Sequence, residues 1–232
     1  MAQDFTSKAR LTLSDMVYEE VRRRIVSLSL KPGDMIFENV VAAEFEVSRT
    51  PIREAFRKLE NDELIRILPQ RGARIMKLSL QKIEEAQFVR ESLETSAFAK
   101  AARIWDVQDQ VCQQAEARIL ENIEKQKKVI QEQDYFSYVR LDEEFHDSII
   151  EVTGNQTLLS VISSMRAHLN RLRYLELQEA RHEQQSTDQH VAIFNALREK
   201  DARKTVKLLQ GHLRLLEGFR THIFEKHRDL FE

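Results

Sequence analysis

The 232-residue sequence predicts a mainly α-helical protein, in which a small mixed N-terminal domain, residues 1–78, precedes an antiparallel six-helix bundle, residues 79–232. Two observations favour this class. All three prolines, Pro32, Pro51 and Pro69, lie in the first third, and the rest of the chain has almost no Pro or Gly to interrupt it. Apolar residues recur at helical spacing in both parts, as in amphipathic helices that pack around a core.

The formal net charge of −2 is distributed unevenly along the chain. Residues 1–78 contain 14 Lys and Arg against 12 Asp and Glu, whereas residues 79–232 contain 22 against 26. Within the first part, residues 47–78 hold 8 basic and 4 acidic side chains. A local basic excess is what a small DNA-binding surface requires.

Cysteine usage and hydropathy favour a cytoplasmic protein. Cys112 is the single cysteine, so no internal disulfide can form, as expected in a reducing compartment. No apolar run is long enough to span a membrane, and the first ten residues lack the apolar core of a signal peptide. We therefore expect a cytoplasmic protein with no membrane partner.

The order of elements in the first part predicts a winged helix-turn-helix. Helical periodicity over residues 12–28 is followed by the turn KPGD, a short helix ENVVAAEFEV and a further helix SRTPIREAFRKLENDEL. Ser48 is the predicted N-cap of this last helix, and Pro51 falls in its first turn, where a missing N–H costs little. The segments IRIL and ARIMKL, joined by the turn PQRG, predict a two-stranded hairpin.

The start of the last of these helices and the hairpin tip are the predicted DNA-contacting parts, because a recognition helix enters the major groove by its N-terminal end. Arg49 and Arg53 are four residues apart and face the same way, and arginine can bind guanine through two hydrogen bonds. Neighbouring hydroxyl groups can reach phosphates, and glycine at the tip allows close approach to the duplex. The predicted DNA-contacting residues are Ser48, Arg49, Thr50, Arg53, Gln70, Arg71 and Gly72.

The segment EFEVSRTPIREAFRKLENDELIRILPQRGARI resembles the GntR family of bacterial transcription regulators, and the resemblance covers roughly residues 11–78. Its SRTPIREA and PQRG motifs are specific for that family. The resemblance implies that Arg49, Thr50 and Arg53 touch an operator, and that the wing at Gly72 enters the adjacent minor groove. A homodimer that reads a palindromic double-stranded operator is expected, because a two-fold symmetric protein matches a two-fold symmetric site.

The second part predicts six helices separated by short breaks, so successive helices should be antiparallel neighbours in a bundle. The polar stretch RHEQQSTD, residues 181–188, is interpreted as a loop. The predicted helices lie near residues 79–104, 107–132, 134–152, 155–179, 186–199 and 201–228.

Four polar side chains of this bundle fall on apolar helix faces. Asp142 and His146, four residues apart in LDEEFHDSII, lie on the same side as Phe145 and Ile149. Buried polar groups without partners would each cost about 1–3 kcal/mol, whereas one shared divalent cation would satisfy all of them. Three nitrogen and one oxygen ligands suit zinc, nickel, cobalt, manganese or iron, and we expect zinc or nickel first. The predicted ligands of one metal ion per chain are Asp142, His146, His190 and His212.

The motifs LDEEFH, DQHVAIFNAL and GHL, which contain these residues, are similar to the FCD effector domain of FadR-type GntR regulators. The resemblance implies that the four positions bind a metal, and a count of six rather than seven helices resembles the VanR-like branch. A divalent ion with one carboxylate ligand keeps a formal positive charge. That charge favours a small carboxylate or sugar acid as effector.

Arg90 is a candidate effector-binding residue because it shares a helix side with apolar residues, and a buried arginine needs an anionic partner. That partner is either the effector carboxylate or a glutamate of the bundle, and the sequence favours neither. Asn170 and Arg173, on another helix, are weaker candidates for the same pocket.

Three functions stay open on the sequence alone. The first is a ligand-responsive transcription regulator, expected to be a repressor. The second is a metal-dependent hydrolase or oxidase, since di-iron bundles use two Glu-x-x-His pairs, and Glu143–His146 and Glu179–His182 have that spacing. The third is a regulator for which the metal itself is the signal. We favour the first and predict no catalytic residue, because no base or nucleophile accompanies the metal ligands.

Overall fold

The computed structural model describes residues 12–232, apart from the side chains of residues 164, 167 and 216. The chain divides into two compact units, with the boundary between Met76 and Lys77. Residues 1–11, which include the segment that lacks a signal-peptide core, lie outside the described residues. No described helix is long and apolar enough to cross a bilayer.

Three helices of the N-terminal unit pack around an apolar core: α1, Leu13–Val26; α2, Glu38–Glu44; and α3, Arg49–Asn61. α1 begins in a capping box, in which the Thr12 hydroxyl accepts a hydrogen bond from the Asp15 N–H and the Asp15 carboxylate accepts one from the Thr12 N–H. The buried side chains of α1 and α3 recur at the helical spacing that the sequence predicts. They include Val17, Val21, Ile25, Ile52, Ala55, Phe56 and Leu59.

A three-stranded antiparallel sheet completes this unit, with the strand order β1-β3-β2. β1 is Met35–Ile36, β2 is Ile65–Leu68 and β3 is Gly72–Ile75. The predicted winged helix-turn-helix is confirmed. The predicted hairpin is present as β2 and β3. The third strand, β1, was not predicted, because it is two residues long and too short to show an alternating pattern.

Gly72 begins β3 at the tip of the wing, where the backbone disfavours any other residue. Its φ is +88°, which side chains larger than hydrogen rarely tolerate. A Cβ on Gly72 would lie 2.5 Å from the Ile36 carbonyl oxygen and 2.8 Å from Phe37 Cδ1. The wing tip is therefore packed directly against the segment that leads into α2.

Helices form the described part of the C-terminal unit, so the predicted helical bundle is confirmed. An Asp or Asn side chain caps four of them at their N-termini, at Asp109, Asp134, Asn155 and Asp201. The seven described helices are α4, Leu80–Ile104; α5, Gln110–Glu132; α6, Tyr135–Glu151; α7, Gln156–Ala180; α8, Glu183–Arg198; α9, Ala202–Leu213; and α10, Arg220–Lys226.

The interpretation of RHEQQSTD as a loop was wrong, because α8 already begins at Glu183. Three of its polar residues, Glu183, Ser186 and Thr187, are buried. The Thr187 hydroxyl donates a hydrogen bond to Gln126 Oε1, 3.1 Å away on α5. The stretch is therefore polar on both sides: its buried residues face a polar part of the interior, and Arg181, Gln184, Gln185 and Asp188 are exposed.

The single helix predicted for residues 201–228 was also wrong. It is divided into α9 and α10 by a 3-10 turn at Leu215–Gly218. The C-terminal unit therefore has seven described helices and not six, so the number of helices no longer supports a resemblance to the VanR-like branch.

The last described residues return to the start of the C-terminal unit. The Leu78 N–H donates to the Leu230 carbonyl and the Glu232 N–H donates to the Leu78 carbonyl, both at 3.0 Å. Leu78 and Phe231 form a parallel bridge, and both side chains are buried. The two ends of this unit therefore lie side by side.

Candidate functional site

Four residues of the C-terminal unit bring a metal-binding set of atoms together. Asp142 and His146 lie on α6, His190 on α8 and His212 on α9. One ligand atom from each lies within 4.8 Å of all the others, and all four residues are buried. The structure thus places the four sequence-predicted ligands in one cluster.

The Nε2 atoms of the three histidines converge. His212 Nε2 lies 3.1 Å from His146 Nε2 and 3.2 Å from His190 Nε2. Asp142 Oδ1 lies 3.3 Å from His190 Nε2 and 3.7 Å from His212 Nε2. Four ligands in a tetrahedron around zinc, each about 2.0–2.1 Å from the ion, are about 3.3 Å apart, which is close to these separations. The distance from His146 Nε2 to the nearer oxygen of Asp142, Oδ2, is longer, at 3.9 Å.

An oxygen atom lies against the other nitrogen, Nδ1, of each imidazole. Because an oxygen acceptor at Nδ1 places the proton there, Nε2 is left with a lone pair for a metal. The distances are 2.6 Å from His146 Nδ1 to Glu94 Oε2, 2.9 Å from His190 Nδ1 to Gln126 Oε1, and 3.1 Å from His212 Nδ1 to Gln189 Oε1. Sequence reasoning missed these three acceptors.

The Gln126 amide is held in one orientation by a chain of hydrogen bonds. Gln126 Nε2 donates to Asn122 Oδ1, and Asn122 Nδ2 donates to the Leu141 carbonyl. The Thr187 hydroxyl donates to Gln126 Oε1. The amide oxygen therefore points to His190 and fixes the proton on Nδ1 of that imidazole.

Electrostatics favour the metal-binding protonation states of three members of the cluster, Asp142, His190 and His212. Burial lowers the pKa of His190 to about 4, and burial together with the neighbouring His190 lowers the pKa of His212 well below its usual range. Burial alone would raise the pKa of Asp142, but Arg173 and His190 hold it well below its usual range. Neutral imidazoles and an ionised carboxylate are the forms that bind a metal ion.

The four side chains of the cluster form a set that could hold a divalent metal ion. Arg173 Nη1 donates to Asp142 Oδ2 at 2.6 Å. Arg173 Nη2 is also 2.6 Å from Oδ1, so Arg173 pairs with both oxygens of the carboxylate, although the contact to Oδ1 lacks hydrogen-bond geometry. Three facing lone pairs and this oxygen repel one another unless a cation lies between them. The oxygen and the three Nε2 atoms would hold that cation.

Arg90, the candidate effector residue on α4, is buried beside this cluster. Its Nε donates to Glu94 Oε1 at 2.7 Å, so the internal salt bridge expected as one alternative is present. Its Nη2 lies 3.9 Å from Asp142 Oδ2 and has no hydrogen-bond partner among the described residues. Burial would raise the pKa of Glu94, but Arg90 and His146 lower it below its usual range. One edge of the guanidinium is therefore paired, and one is not.

α7 contributes a second group of polar side chains. Arg166 donates to Asp147 through hydrogen bonds of 2.7 and 2.8 Å, and Asn170 Nδ2 donates to Glu143 Oε1 at 2.6 Å. Arg166 Nε and Asn170 Oδ1 are buried without a hydrogen-bond partner in the described part of the chain. The sequence analysis named Asn170 and Arg173 but missed Arg166, which the spacing of one turn before Asn170 could have indicated.

The two Glu-x-x-His pairs considered for a di-iron enzyme do not come together. Glu143 is bonded to Asn170, and Glu179 pairs with Lys226 at the surface. Within the described residues, the Asp142 cluster is the one group of three or more side chains that could hold a metal.

The N-terminal unit gathers predicted DNA-contacting side chains around a cleft between α3 and the wing. The cleft has a volume of about 430 Å³, and its lining includes Arg49, Arg53, Gln70, Arg71 and Gly72. Arg53 Nε lies 2.9 Å from Glu38 Oε2 on α2. Ser48 occupies the predicted N-cap position of α3, but its side chain makes no capping hydrogen bond. Ser48 and Thr50 are not part of the cleft lining.

Two family models match the chain, one in each unit. Residues 13–75 match the bacterial regulatory proteins of the gntR family, and residues 85–215 match the FCD domain. The chain belongs to the GntR family. The FCD match confirms the FadR-type resemblance of its second unit.

The relatives of this GntR-family chain are transcription regulators and not enzymes. It is 28% identical to the HTH-type transcriptional repressor RspR of Escherichia coli (strain K12), over 94% of this chain and 93% of the relative. It is 31% identical to the gluconate operon transcriptional repressor of Bacillus subtilis (strain 168), over 78% and 74% of the two chains. The solved structure of E. coli McbR/YncC shares the fold, with a TM-score of 0.77 at 17% identity over 94% of this chain and 100% of that one.

Proposed function

We propose that this GntR-family regulator is a cytoplasmic, homodimeric repressor that binds a palindromic operator. Its affinity for the operator changes when a small hydroxy acid binds beside a metal ion. Residues 1–78 read the DNA, and residues 79–232 bind metal and effector and form the dimer. Two relatives are named as repressors, which supports repression rather than activation. The observation that carries the proposal is the set of unpaired, buried polar atoms beside the converging imidazoles.

The formal charges around the cluster favour an anionic ligand. Three arginines and four carboxylates sum to −1, and a divalent ion would change the sum to +1. A buried net charge is costly, so one carboxylate of an effector would neutralise the loaded site. The groups counted are Arg90, Arg166 and Arg173 against Glu94, Asp142, Glu143 and Asp147.

The unpaired atoms also favour a hydroxyl group on the effector. Arg90 Nη2 and Arg166 Nε are donors suited to a carboxylate, whereas Asn170 Oδ1 is an acceptor that needs a donor. A hydroxy acid supplies both groups, and sugar acids belong to that class. Gluconate is a sensible first probe because one relative is named for the gluconate operon.

The metal is proposed to be zinc or nickel, with manganese, iron or cobalt as the other ions that this ligand set accepts. When bound, the ion supplies a positively charged position that a carboxylate oxygen can occupy. Asp142, His146, His190 and His212 hold the ion. Arg90 orients the acid, with Asn170 and Arg173 as further pocket residues.

DNA reading is proposed to depend on Ser48, Arg49, Thr50, Arg53, Gln70, Arg71 and Gly72. Arg49→Ala is expected to weaken specific binding by about 1–3 kcal/mol through the loss of a base contact. The probe is a duplex selected from a random pool by the wild-type protein. An unchanged preference of Arg49→Ala for this duplex over random DNA would remove Arg49 from the reading surface.

The effector proposal is tested by thermal unfolding and DNA release with metal-loaded protein. Gluconate should raise the unfolding temperature and change operator affinity, and glucose, which lacks the carboxylate, should do neither. Arg90→Ala should retain DNA binding but respond weakly to the acid. If metal alone releases the operator and no acid has an effect, the protein is a metal sensor instead.

A further inference from the structure

Two arginines stand directly opposite each other on the outer face of the wing sheet. Arg66 on β2 and Arg74 on β3 are register partners in the antiparallel pair. Both side chains are exposed, whereas Ile65 and Ile75, their neighbours in the strands, are 2% and 1% exposed. Because side chains alternate between the two faces of a strand, both guanidinium groups project to the solvent side.

No acidic side chain in the described part of the chain neutralises this pair. In the same unit, Arg24 pairs with Glu20 and Glu44, and Arg53 pairs with Glu38, whereas Arg66 and Arg74 have no such partner among the described residues. Like charges directly opposite each other destabilise an antiparallel pair. Two arginines at this position therefore do not stabilise the wing by themselves. A bound external anion would explain why both are present.

The pair is close to the predicted DNA-contacting tip but separate from it. Counting from the tip, the paired positions are Leu68 with Gly72, Ile67 with Ala73, and Arg66 with Arg74. At about 3.4 Å per residue, the arginines lie about 7 Å from the first pair. Neither arginine lines the cleft between α3 and the wing.

We propose that Arg66 and Arg74 bind the sugar-phosphate backbone of the DNA beside the segment contacted by α3 and the wing tip. Arginine binds phosphate through parallel N–H donors, and a phosphate between the two guanidinium groups cancels their repulsion. The contact is to the backbone, so it adds affinity without reading sequence. This inference rests on the proposed DNA binding of the N-terminal unit.

The test uses the full-length protein and a random-sequence duplex, because backbone contacts do not depend on sequence. Each phosphate contact contributes about 0.9 to the slope of log affinity against log salt concentration. Arg66→Gln and Arg74→Gln should each reduce the slope by about 1, and the double variant by about 2. Arg103→Gln, which removes the same charge from an exposed site on α4, should leave the slope unchanged.

Arg66→Lys and Arg74→Lys keep the charge and should keep most of the slope. Thermal unfolding separates misfolding from lost contacts, because removal of a like-charge pair should not lower the unfolding temperature of the wing variants. If the variant with both Arg66→Gln and Arg74→Gln is folded and keeps the wild-type slope, the inference is wrong. The two arginines would then bind a different partner, such as an acidic protein surface. If the wild type binds no duplex at all, the proposed DNA function fails first, and the two failures are distinguishable.

Discussion

At the level of single residues, the proposed metal site depends on which nitrogen of each imidazole carries the proton. Glu94, Gln126 and Gln189 each place an oxygen against one Nδ1. These side chains lie on α4, α5 and α8, and with the ligands on α6, α8 and α9 they make the site a joint product of five helices. A single substitution in this set should therefore weaken metal binding and, with it, the stability of the C-terminal unit.

His146→Ala should remove or weaken the bound metal, because His146 supplies one of four ligand atoms and its neighbours become buried polar groups without a partner. Elemental analysis of protein purified without added metal or a metal-affinity tag measures the loss. His222→Ala, at an exposed position on α10, is the matched control. Equal metal content in wild type and His146→Ala would show that the Asp142 cluster does not bind the metal and that its four side chains only pack in the core.

Glu176 on α7 should make stability fall as pH rises. It is 1% exposed, and neither carboxylate oxygen has a hydrogen-bond partner in the described structure. Burial raises the pKa of Glu176 from 4.5 to about 8, although Arg173 and Arg220 act in the opposite direction. The folded protein keeps this proton where the unfolded chain releases it. The contribution of this proton to the free energy of unfolding is therefore complete below about pH 4.5 and is lost as the pH rises through about 8.

Glu176→Gln should remove this pH dependence, because the amide cannot ionise. Denaturant unfolding should find the variant more stable than wild type near pH 8 and similar to it near pH 5. Glu179→Gln, one turn away on the surface, is the control. The Lys226 and His227 partners of Glu179 lower its pKa, so this control should gain nothing at high pH. A Glu176→Gln variant that gains no stability at alkaline pH would show that the wild-type carboxyl ionises freely.

At the level of elements, the N-terminus of α3 differs from those of α5, α6, α7 and α9. In those four helices an Asp or Asn side chain accepts hydrogen bonds from the first turn, whereas the Ser48 side chain makes no such bond. The first N–H groups of α3 and the Ser48 hydroxyl are thus open to another acceptor. A DNA phosphate is an acceptor of the required charge.

Ser48→Ala should therefore leave folding stability nearly unchanged and weaken DNA binding. Asp109→Ala, which removes a working cap from α5, should cost about 1 kcal/mol of stability and leave DNA binding unchanged. Chemical denaturation and DNA titration of both variants provide the comparison. A loss of stability in Ser48→Ala as large as that in Asp109→Ala would mean that Ser48 caps α3 in solution.

The elements show which parts of this architecture a sequence can reveal. Asp142 and His146 could be recognised as a pair because they lie one turn apart among apolar residues. The acceptors of the same imidazoles could not, because the contact from Glu94 to His146 crosses 52 residues of sequence and that from Gln126 to His190 crosses 64. The start of α8 was missed for a related reason: some of its polar residues are buried, and local polarity looks the same in a loop and in a polar interior.

At the level of the whole molecule, the proposed metal ion would join α6, α8 and α9, so its binding energy would also be folding energy for the C-terminal unit. The molecule contains a natural reporter of this unit. Trp105 is its single tryptophan and is fully buried at the end of α4. Tryptophan fluorescence therefore reports the unfolding of the C-terminal unit and not that of the wing.

Chelation should lower the unfolding temperature measured by Trp105 fluorescence, and added zinc or nickel should restore it. An ion at a hundredfold excess over its dissociation constant stabilises by about 2.7 kcal/mol. The same titration with His146→Ala should show little response. A fluorescence transition at the same temperature with chelator and with metal would contradict a resident ion.

The backbone pairing of Leu78 with Phe231 has a consequence for engineering. Because the two ends of the C-terminal unit are adjacent, the order in which its helices follow one another can be rearranged. A circular permutant would join residue 232 to residue 78 by a short flexible linker and open the chain in the turn before Asp109. Such a permutant should keep the Asp142 cluster intact, although its helices would be made in a different order and its DNA-reading half would be absent. If the cluster binds a metal as proposed, the C-terminal unit could then be inserted into an unrelated host protein as a self-contained metal-responsive domain.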